Sequence, residues 1–177
     1  MKQRICLFLA VWTLVLFAAV PALGEQETEE YTVGSFSYQI PSSWSTVDAE
    51  DGYYHYADEP QIADDGYVYA SVQTIPGMNA SSESEARFIL SALVKGMTGT
   101  EEADTALLSQ FDIEIHGKYA AILRMDLGMY GENYQGSFLL VKNGDEFFIL
   151  TYLDKVNTPD GQLNFFAGLV NSVEVND

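Results

Sequence analysis

The pattern of hydrophobic and polar residues from Lys118 to Leu153 predicts three strands joined by two tight turns. One face of the first strand is formed by Tyr119, Ala121, Leu123, Met125, Leu127 and Met129. A period of two is typical of a strand with one buried face. The second strand repeats the pattern between Tyr134 and Leu140. Asn143-Gly144 then predicts a type I′ hairpin turn, whose two central residues need a positive φ.

The third strand of this stretch is apolar on both faces. One face carries Phe147, Ile149 and Leu153, and the other carries Phe148, Leu150 and Tyr152. An antiparallel strand that is apolar on both sides usually lies in mid-sheet and is covered twice. We therefore predict an antiparallel meander whose centre is covered on each face by the rest of the chain.

Shorter runs predict the remaining strands. They lie at Phe36–Ile40, Tyr53–Ala57, Tyr67–Thr74, Leu107–Ile115 and, as a short last strand, at Val173 and Val175. His116-Gly117 is expected to turn the chain into the meander. Ser42-Ser43 predicts a turn that returns Trp44 to the core, because Pro41 ends the strand before it.

Two stretches have helical periodicity. Ser82-Glu83-Ser84-Glu85 has the sequence pattern of a capping box, and the apolar stripe that follows predicts a helix over about Glu83 to Met97. Thr158-Pro159 begins a second helix whose stripe ends at Val170. Together the elements predict an α+β fold, with a central antiparallel sheet of about six or seven strands and helices on both faces, an αβα sandwich.

Residues 1–24 have the pattern of an export signal. Lys2 and Arg4 precede an uncharged apolar run, and Ala22-Leu23-Gly24 supplies small residues for a signal peptidase. We predict cleavage after Gly24, a secreted or extracytoplasmic location, and no stable membrane insertion after cleavage. An uncleaved membrane anchor is the alternative, although the apolar run is shorter than the ~20 residues that a spanning helix needs.

After this signal, Glu25 to Glu30 predicts a short disordered acidic lead-in, because it contains no apolar residue. Residues 31–177 then form a single domain, since no linker or internal repeat divides them. The only cysteine, Cys6, lies in the predicted signal, so the exported chain would be held together without a disulfide. That is more typical of a bacterial exported protein than of a eukaryotic one.

The net charge narrows the choice of partners. It is −18 for the chain and would become −20 after loss of Lys2 and Arg4. Such a surface repels phosphate backbones and anionic membranes, so nucleic acid is not expected as a partner. Cations, basic proteins and neutral ligands are favoured. The alternative is that the acidic residues only keep an exported protein soluble.

The residue types needed for common catalytic sites are sparse. The exported part lacks a cysteine nucleophile, a glycine-rich phosphate loop and a His-Glu-x-x-His motif. The two histidines, His55 and His116, are interpreted as surface or partly packed residues, so we expect no catalytic residue. A hydrolase that uses one of them with a serine and an acid is the alternative, although no Gly-x-Ser-x-Gly elbow is present.

Acidic residues around one predicted strand are the first candidate for a ligand or partner surface. They are Asp48, Glu50, Asp51, Asp58, Glu59, Asp64 and Asp65. Calcium needs several oxygen ligands that converge on one point. EF-hand spacing fails because Gly52 comes one position early. Weak calcium binding and a solvated acidic face both remain open, and no other cofactor or metal is expected.

Tyrosines on the two neighbouring strands are the second candidate. They are Tyr53, Tyr54, Tyr56, Tyr67 and Tyr69. One face of these strands must be core, and the opposite face would present Tyr54 and Tyr56. Exposed tyrosines suit contacts with protein or sugar. The alternative is a buried aromatic cluster on a sheet that is covered twice.

The order of elements resembles the PsbP-like superfamily, the fold of the extrinsic P subunit of photosystem II and of the Ran-binding nucleotide-release factors. The opening Phe36-Ser37-Tyr38-Gln39-Ile40-Pro41-Ser42-Ser43-Trp44 is similar to that of the superfamily. So is the closing helix, Leu163 to Val170, which runs into Asn171-Ser172-Val173. The resemblance implies an antiparallel sheet with helices on both faces and a role as a binding or assembly module.

These observations lead to one hypothesis. The chain would be an exported bacterial binding or assembly module, not an enzyme, that meets a protein or envelope partner through the loops around Asp48 to Asp65. No residue known to bind partners of the superfamily can be placed on this sequence, so none is carried over.

Overall fold

The computed structural model describes residues 27–57, 66–74, 88–89, 92, 105–129, 132–155 and 159–176. Within these ranges, the strands are β1 (Thr28–Val33), β2 (Phe36–Pro41), β3 (Ser45–Ala49), β4 (Gly52–Tyr56), β5 (Tyr67–Thr74), β6 (Thr105–Ile115), β7 (Lys118–Met129), β8 (Glu132–Asn143), β9 (Glu146–Lys155) and β10 (Glu174–Val175). The helix α1 spans Pro159–Asn171.

Seven strands form one antiparallel sheet in the order β3-β4-β5-β9-β8-β7-β6. β9 occupies its centre, as the two apolar faces of this strand predicted. Leu140 pairs with Ile149 between β8 and β9, and Ala121 pairs with Leu140 between β7 and β8. The predicted meander is therefore confirmed as β7, β8 and β9.

The first face of this sheet packs against a second, three-stranded sheet and against α1. The small sheet has the order β1-β2-β10, and β2 contributes Phe36, Tyr38 and Ile40 to the shared core. From α1, Phe166 and Leu169 enter the same core. Trp44 stacks on Phe165 of α1 with ring centroids 4.9 Å apart, so the predicted return of this indole to the core is confirmed.

The second face carries a separate core. Its buried residues are Ile89, Ala121, Leu123, Leu127, Tyr134, Phe138, Leu140, Phe147, Ile149 and Leu153. Ile89 is helical, as are Phe88 and Ala92, and Ile89 packs against the sheet residues of this core. The rest of the predicted helix from Glu83 to Met97 lies outside the described residues. Helices on both faces therefore stay a prediction.

The sequence predicts that helices alone cover the central sheet. This is wrong for the first face, which is covered by the three-stranded sheet together with α1. The chain turns at Gly34-Ser35 after β1, and β2 then pairs with β1 from Val33↔Phe36 to Thr28↔Pro41. β1 thus includes Thr28 to Glu30, so the predicted disorder of the lead-in is wrong for these three residues. These polar residues are ordered because β2 supplies backbone partners, which local composition does not indicate.

β3 was also missed. Ser45–Ala49 pairs with β4 throughout, and Gly52 of β4 faces Ser71 of β5. A β-carbon on Gly52 would lie 1.9 Å from the carbonyl oxygen of Ala70, so no side chain fits at this position. Close approach of the backbone is one reason for glycine inside a strand.

The two predicted hairpin turns differ in their outcome. His116 and Gly117 have φ of 49° and 76° and connect Ile115 to Lys118, as predicted. The β8–β9 turn is centred on Gly144-Asp145, because Asn143 still pairs with Glu146. The expected centre at Asn143-Gly144 is therefore wrong by one residue. Gly144 has a φ of 60°, which suits a glycine at the first central position of a type II′ turn.

Several predictions fall on residues that the structure does not describe. They are the signal over residues 1–24 with cleavage after Gly24, the capping box at Ser82–Glu85 and the loop residues Asp58, Glu59, Asp64 and Asp65. Among the described residues, no helix is both long and apolar enough to cross a membrane.

Candidate partner-binding surface

Four tyrosines stack in two rows across β4 and β5 and are called here the tyrosine ladder: Tyr54, Tyr56, Tyr67 and Tyr69. Tyr54 pairs directly with Tyr69, and Tyr56 pairs with Tyr67. The Tyr54 and Tyr69 ring centroids are 4.4 Å apart with an interplanar angle of 16°, and those of Tyr56 and Tyr67 are 5.9 Å apart. All four side chains are half-buried.

The period of two along β4 separates the ladder from the first core. Tyr53 packs against that core and His55 is fully buried in it, while Tyr54 and Tyr56 lie on the opposite face. Tyr67 packs at the edge of the second core. The ladder is thus half-buried and lies on the face of the sheet opposite the first core.

Of the five tyrosines on these strands, the sequence predicts only Tyr54 and Tyr56 as site residues and misses Tyr67 and Tyr69. The signal that could have found them was present, because Tyr67-Val68-Tyr69 alternates in the same way as Tyr54-His55-Tyr56. Antiparallel pairing of β4 with β5 brings the two alternating runs onto one face. Cross-strand aromatic pairs of this kind stabilise a sheet.

Asp51 fixes one end of the ladder. The Tyr69 hydroxyl donates a hydrogen bond of 2.5 Å to Asp51 Oδ1, and Val72 N donates to the Asp51 backbone oxygen at 3.1 Å. Burial, together with the Asp51 carboxylate, raises the pKa of Tyr69 above its ordinary value. The phenol therefore stays protonated at neutral pH and holds its donor role.

Three of the predicted acidic residues meet at the turn between β3 and β4. Asp48 and Glu50 are exposed, and Asp51 is half-buried. They line an open cleft of about 550 Å³ between this turn and the turn from β1 to β2. The other lining residues are Thr32, Val33, Gly34, Ala49, Gly52, Tyr53 and Val72. The cleft lies on the Tyr53 side of the sheet, and the hydrogen bond from Tyr69 to Asp51 joins the acidic turn to the tyrosine ladder on the other side.

The remaining acidic residues of the predicted surface, Asp58, Glu59, Asp64 and Asp65, lie outside the described residues. Within the part of the chain that the structure describes, no three acidic, histidine or cysteine side chains are grouped to hold a metal ion. Weak calcium binding that involves Asp58 to Asp65 therefore stays a prediction.

His55 belongs to a chain of hydrogen bonds that begins in the core and ends at the exposed Glu29. Its Nε2 lies 2.8 Å from the Tyr38 hydroxyl, and its Nδ1 lies 2.9 Å from Thr46 Oγ1. Thr46 Oγ1 lies 2.9 Å from the Tyr31 hydroxyl, which donates to Glu29 at 3.0 Å. Burial lowers the pKa of His55 to about 4, so the imidazole is neutral at pH 7.

His116 is in a different setting. It occupies the β6–β7 turn with a half-exposed side chain, and its Nε2 lies 3.4 Å from Glu174 Oε2. The structure therefore gives the two histidines separate roles. His55 joins a buried structural network, and His116 forms a turn at the surface.

No family model and no curated protein matches the chain. Among solved structures, cyanobacterial PsbP (CyanoP) from Synechocystis sp. PCC 6803 is similar with a TM-score of 0.65 and 11% identity, over 87% of this chain and 95% of that one. A mutant of the protein Mog1 has a TM-score of 0.61 and 9% identity, over 86% of this chain and 97% of that one.

The protein has the PsbP-like fold. LpqN, described as involved in cell envelope biogenesis of Mycobacterium tuberculosis, is also similar, with a TM-score of 0.53 and 8% identity over 85% of this chain and 91% of that one. The resemblance inferred from the opening and closing motifs is thus confirmed as a fold. At these identities the PsbP-like likeness concerns architecture alone, so the site must be argued from the residues of this chain.

Proposed function

We propose that the protein is an exported, non-enzymatic binding or assembly module that contacts an envelope or extracellular partner through the tyrosine ladder and the acidic β3–β4 turn. The observation that carries this proposal is the set of four stacked, half-buried tyrosines, which Asp51 joins to the acidic β3–β4 turn. The signal-like residues 1–24 support export. The PsbP-like fold and its likeness to LpqN fit a module of this kind.

The ladder has the physical properties of a preorganised contact surface. A tyrosine ring has few rotatable bonds and offers both an apolar face and a hydroxyl. Stacking of Tyr54 on Tyr69 and the hydrogen bond to Asp51 already restrict these side chains. Little additional side-chain entropy is then lost on association, which favours affinity.

Charge indicates the chemistry of the partner. The chain has a net charge of −18, and Asp48 and Glu50 are exposed at the turn next to the ladder. Aromatic faces attract ammonium and guanidinium groups, and nearby carboxylates strengthen that attraction. A basic protein surface with exposed lysine or arginine is therefore the preferred partner, ahead of nucleic acid or an anionic membrane.

The alternatives receive less support from the geometry. A Ser-His-acid hydrolase needs a histidine whose nitrogens reach a serine and an acid. Both ring nitrogens of His55 are instead within hydrogen-bond distance of Tyr38 and Thr46, which leaves His116 as the histidine for such a site. Weak calcium binding at the acidic loops is a third proposal, which calorimetric titration of the full chain with calcium tests directly.

The experiment is a crosslinking pull-down with the purified full chain as bait, against envelope and medium extracts of the native cell. The test bait carries Tyr56→Ser, Asp48→Asn and Glu50→Gln. A matched bait carries Glu30→Gln and Asp145→Asn, which remove the same amount of negative charge at exposed positions elsewhere. We expect one partner captured by the native and matched baits and lost by the test bait. Equal capture by all three would contradict the proposed surface.

A further inference from the structure

β6 is a long strand at the edge of the seven-stranded sheet. It spans 11 residues, Thr105–Ile115, and among the described residues it pairs with β7 alone. The opposite edge strand, β3, has five residues. In an antiparallel strand every second residue directs its N–H and C=O groups to the same side, so β6 offers about five residues with outward backbone groups.

The later part of β6 is regular. The register with β7 shifts between Leu107 and Ser109, and from Ser109 to Ile115 the pairing is continuous. Exposed sheet edges are usually protected by short strands, lysine, proline or bulges. Ser109–Ile115 contains neither lysine nor proline, and the register shift precedes it. This segment is therefore a suitable template for another strand.

The side chains of this segment differ between its two faces. Phe111 is 41% exposed, and Ile113 on the same face packs partly against the first core. Asp112 and Glu114 are exposed on the other face, where Asp112 accepts a hydrogen bond of 2.8 Å from the Tyr119 hydroxyl. The edge thus has an apolar side and an acidic side.

We propose that Ser109–Ile115 binds an extended basic segment of another protein, which adds an eighth strand to the sheet. Residues of the added strand would alternate, with apolar side chains beside Phe111 and Ile113 and with lysine or arginine beside Asp112 and Glu114. Main-chain hydrogen bonds supply affinity in such strand addition, and the alternate side chains supply specificity. Directly opposed charges of unlike sign stabilise a cross-strand pair.

A second copy of this chain does not fit the same edge. Two copies that paired β6 with β6 about a two-fold axis would bring Asp112 and Glu114 of both onto one face of the joined sheet. Like charges on facing strands are destabilising, and each copy has a net charge of −18. The acidic side of β6 therefore disfavours self-association and favours a basic partner.

This surface is independent of the one proposed above. β6 and the strands β3, β4 and β5 lie at opposite ends of the sheet order. Either surface can fail its test without affecting the other.

The test uses a fluorescent nine-residue peptide of alternating valine and lysine, titrated with the full chain and followed by anisotropy. A peptide of alternating valine and glutamate reports charge preference. Two further valine–lysine peptides carry N-methyl groups on all valine amides or on all lysine amides. One of these two must lose its hydrogen bonds to β6 if the peptide binds as a strand.

The charge of β6 is reversed by Asp112→Lys with Glu114→Lys. The matched control, Glu30→Lys with Asp145→Lys, makes the same change in net charge at exposed positions away from β6. We expect the reversal to weaken the valine–lysine peptide by about tenfold or more and to create binding of the glutamate peptide, while the control binds as the native chain does. Circular dichroism verifies folding, and Asp112→Asn with Glu114→Gln replaces the reversal if it fails to fold.

Three results would overturn the proposal. They are no binding of the valine–lysine peptide by the native chain, equal weakening in the reversed and control variants, and full binding of both N-methylated peptides. The second result would indicate general charge attraction, and the third would indicate contact without strand pairing.

Discussion

His55 Nε2 lies 2.8 Å from the hydroxyl oxygen of Tyr38, and both residues are fully buried between the two sheets. The pair joins β4 of the large sheet to β2 of the small one. Burial of a polar group costs free energy unless the group is hydrogen-bonded. The hydrogen bond between His55 and Tyr38 therefore stabilises both buried side chains. The interaction therefore connects two sheets that backbone pairing leaves separate.

The buried imidazole should make stability depend on pH. Burial lowers the pKa of His55 from 6.5 to about 4, so between these values the unfolded chain binds a proton that the folded chain does not. The free energy of unfolding should then fall as pH decreases from 7 to 4, by up to roughly 3 kcal/mol from this group. Urea unfolding at several pH values measures the slope.

The control for this prediction is a comparison of slopes. His55→Gln should remove most of the decrease in the free energy of unfolding between pH 6.5 and 4, when each protein is compared with its own value at pH 7.5. His116→Asn should keep it, because this variant leaves the buried His55 in place. The same slope in the native chain and in His55→Gln would contradict the prediction.

Gly52 should not tolerate a side chain. A β-carbon there would lie 1.9 Å from the Ala70 carbonyl oxygen, which is fixed in the backbone of β5. We expect Gly52→Ala to lower the free energy of unfolding by about 3 kcal/mol or more, since overpacking forces the backbone to shift. Gly117→Ala is the control, because a β-carbon at Gly117 would meet no neighbouring atom. This variant should lose only about 1 kcal/mol of stability, through the positive φ at that position. Chemical denaturation would contradict the prediction if both variants lost the same amount.

His116 has a φ of 49°, the left-handed region that β-branched residues avoid. Asparagine is preferred at the first central position of a type I′ turn, so His116→Asn should raise stability by about 0.5 kcal/mol. His116→Val should lower it by about 1 kcal/mol or more. Both variants lose the exposed contact to Glu174, so their difference reports the turn, and thermal unfolding measures it. Equal midpoints would refute this account.

Ser35 and Glu146 tie the two sheets together at their turns. The Ser35 hydroxyl donates to Glu146 Oε2 at 2.7 Å, and Ser35 N donates to the same oxygen at 3.3 Å. We expect Ser35→Ala and Glu146→Gln each to cost about 1 kcal/mol. A double-mutant cycle should give a coupling energy of about 1 kcal/mol. A coupling near zero would mean that the contact contributes nothing measurable.

The fold should depend less on Tyr54 and Tyr56 than on the buried core residues. Aromatic pairs contribute about 0.5–1.5 kcal/mol each, so Tyr56→Ser, which removes ring contacts to Tyr54 and Tyr67 only, should remain folded. Tyr54→Ser should cost more, because Tyr54 lies within 6.4 Å of Tyr56, Tyr67 and Tyr69, measured between ring centroids. Unfolding of both single variants in circular dichroism would make the ladder a structural core and would refute the binding surface.

Much of the large sheet was predictable from local pattern. The two apolar faces of β9 placed it at the centre of the sheet, and Thr158-Pro159 marked the start of α1. His116-Gly117 identified its turn because few residue types adopt a positive φ. The β8–β9 turn was misplaced by one residue, since Asn143 remained paired with Glu146.

The sequence by itself determined the meander, the closing helix, the acidic charge and the alternation that separates His55 from Tyr54. Only the tertiary structure decided that β1, β2 and β10 form a second sheet, that Tyr69 bonds to Asp51, and that Ser35 meets Glu146 from 111 residues away. The physical reason is the distance along the chain over which each kind of interaction acts. Side-chain periodicity and turn preferences act over a few residues, whereas backbone groups of any sequence can pair, so distant pairing is chosen by the packing of the whole core.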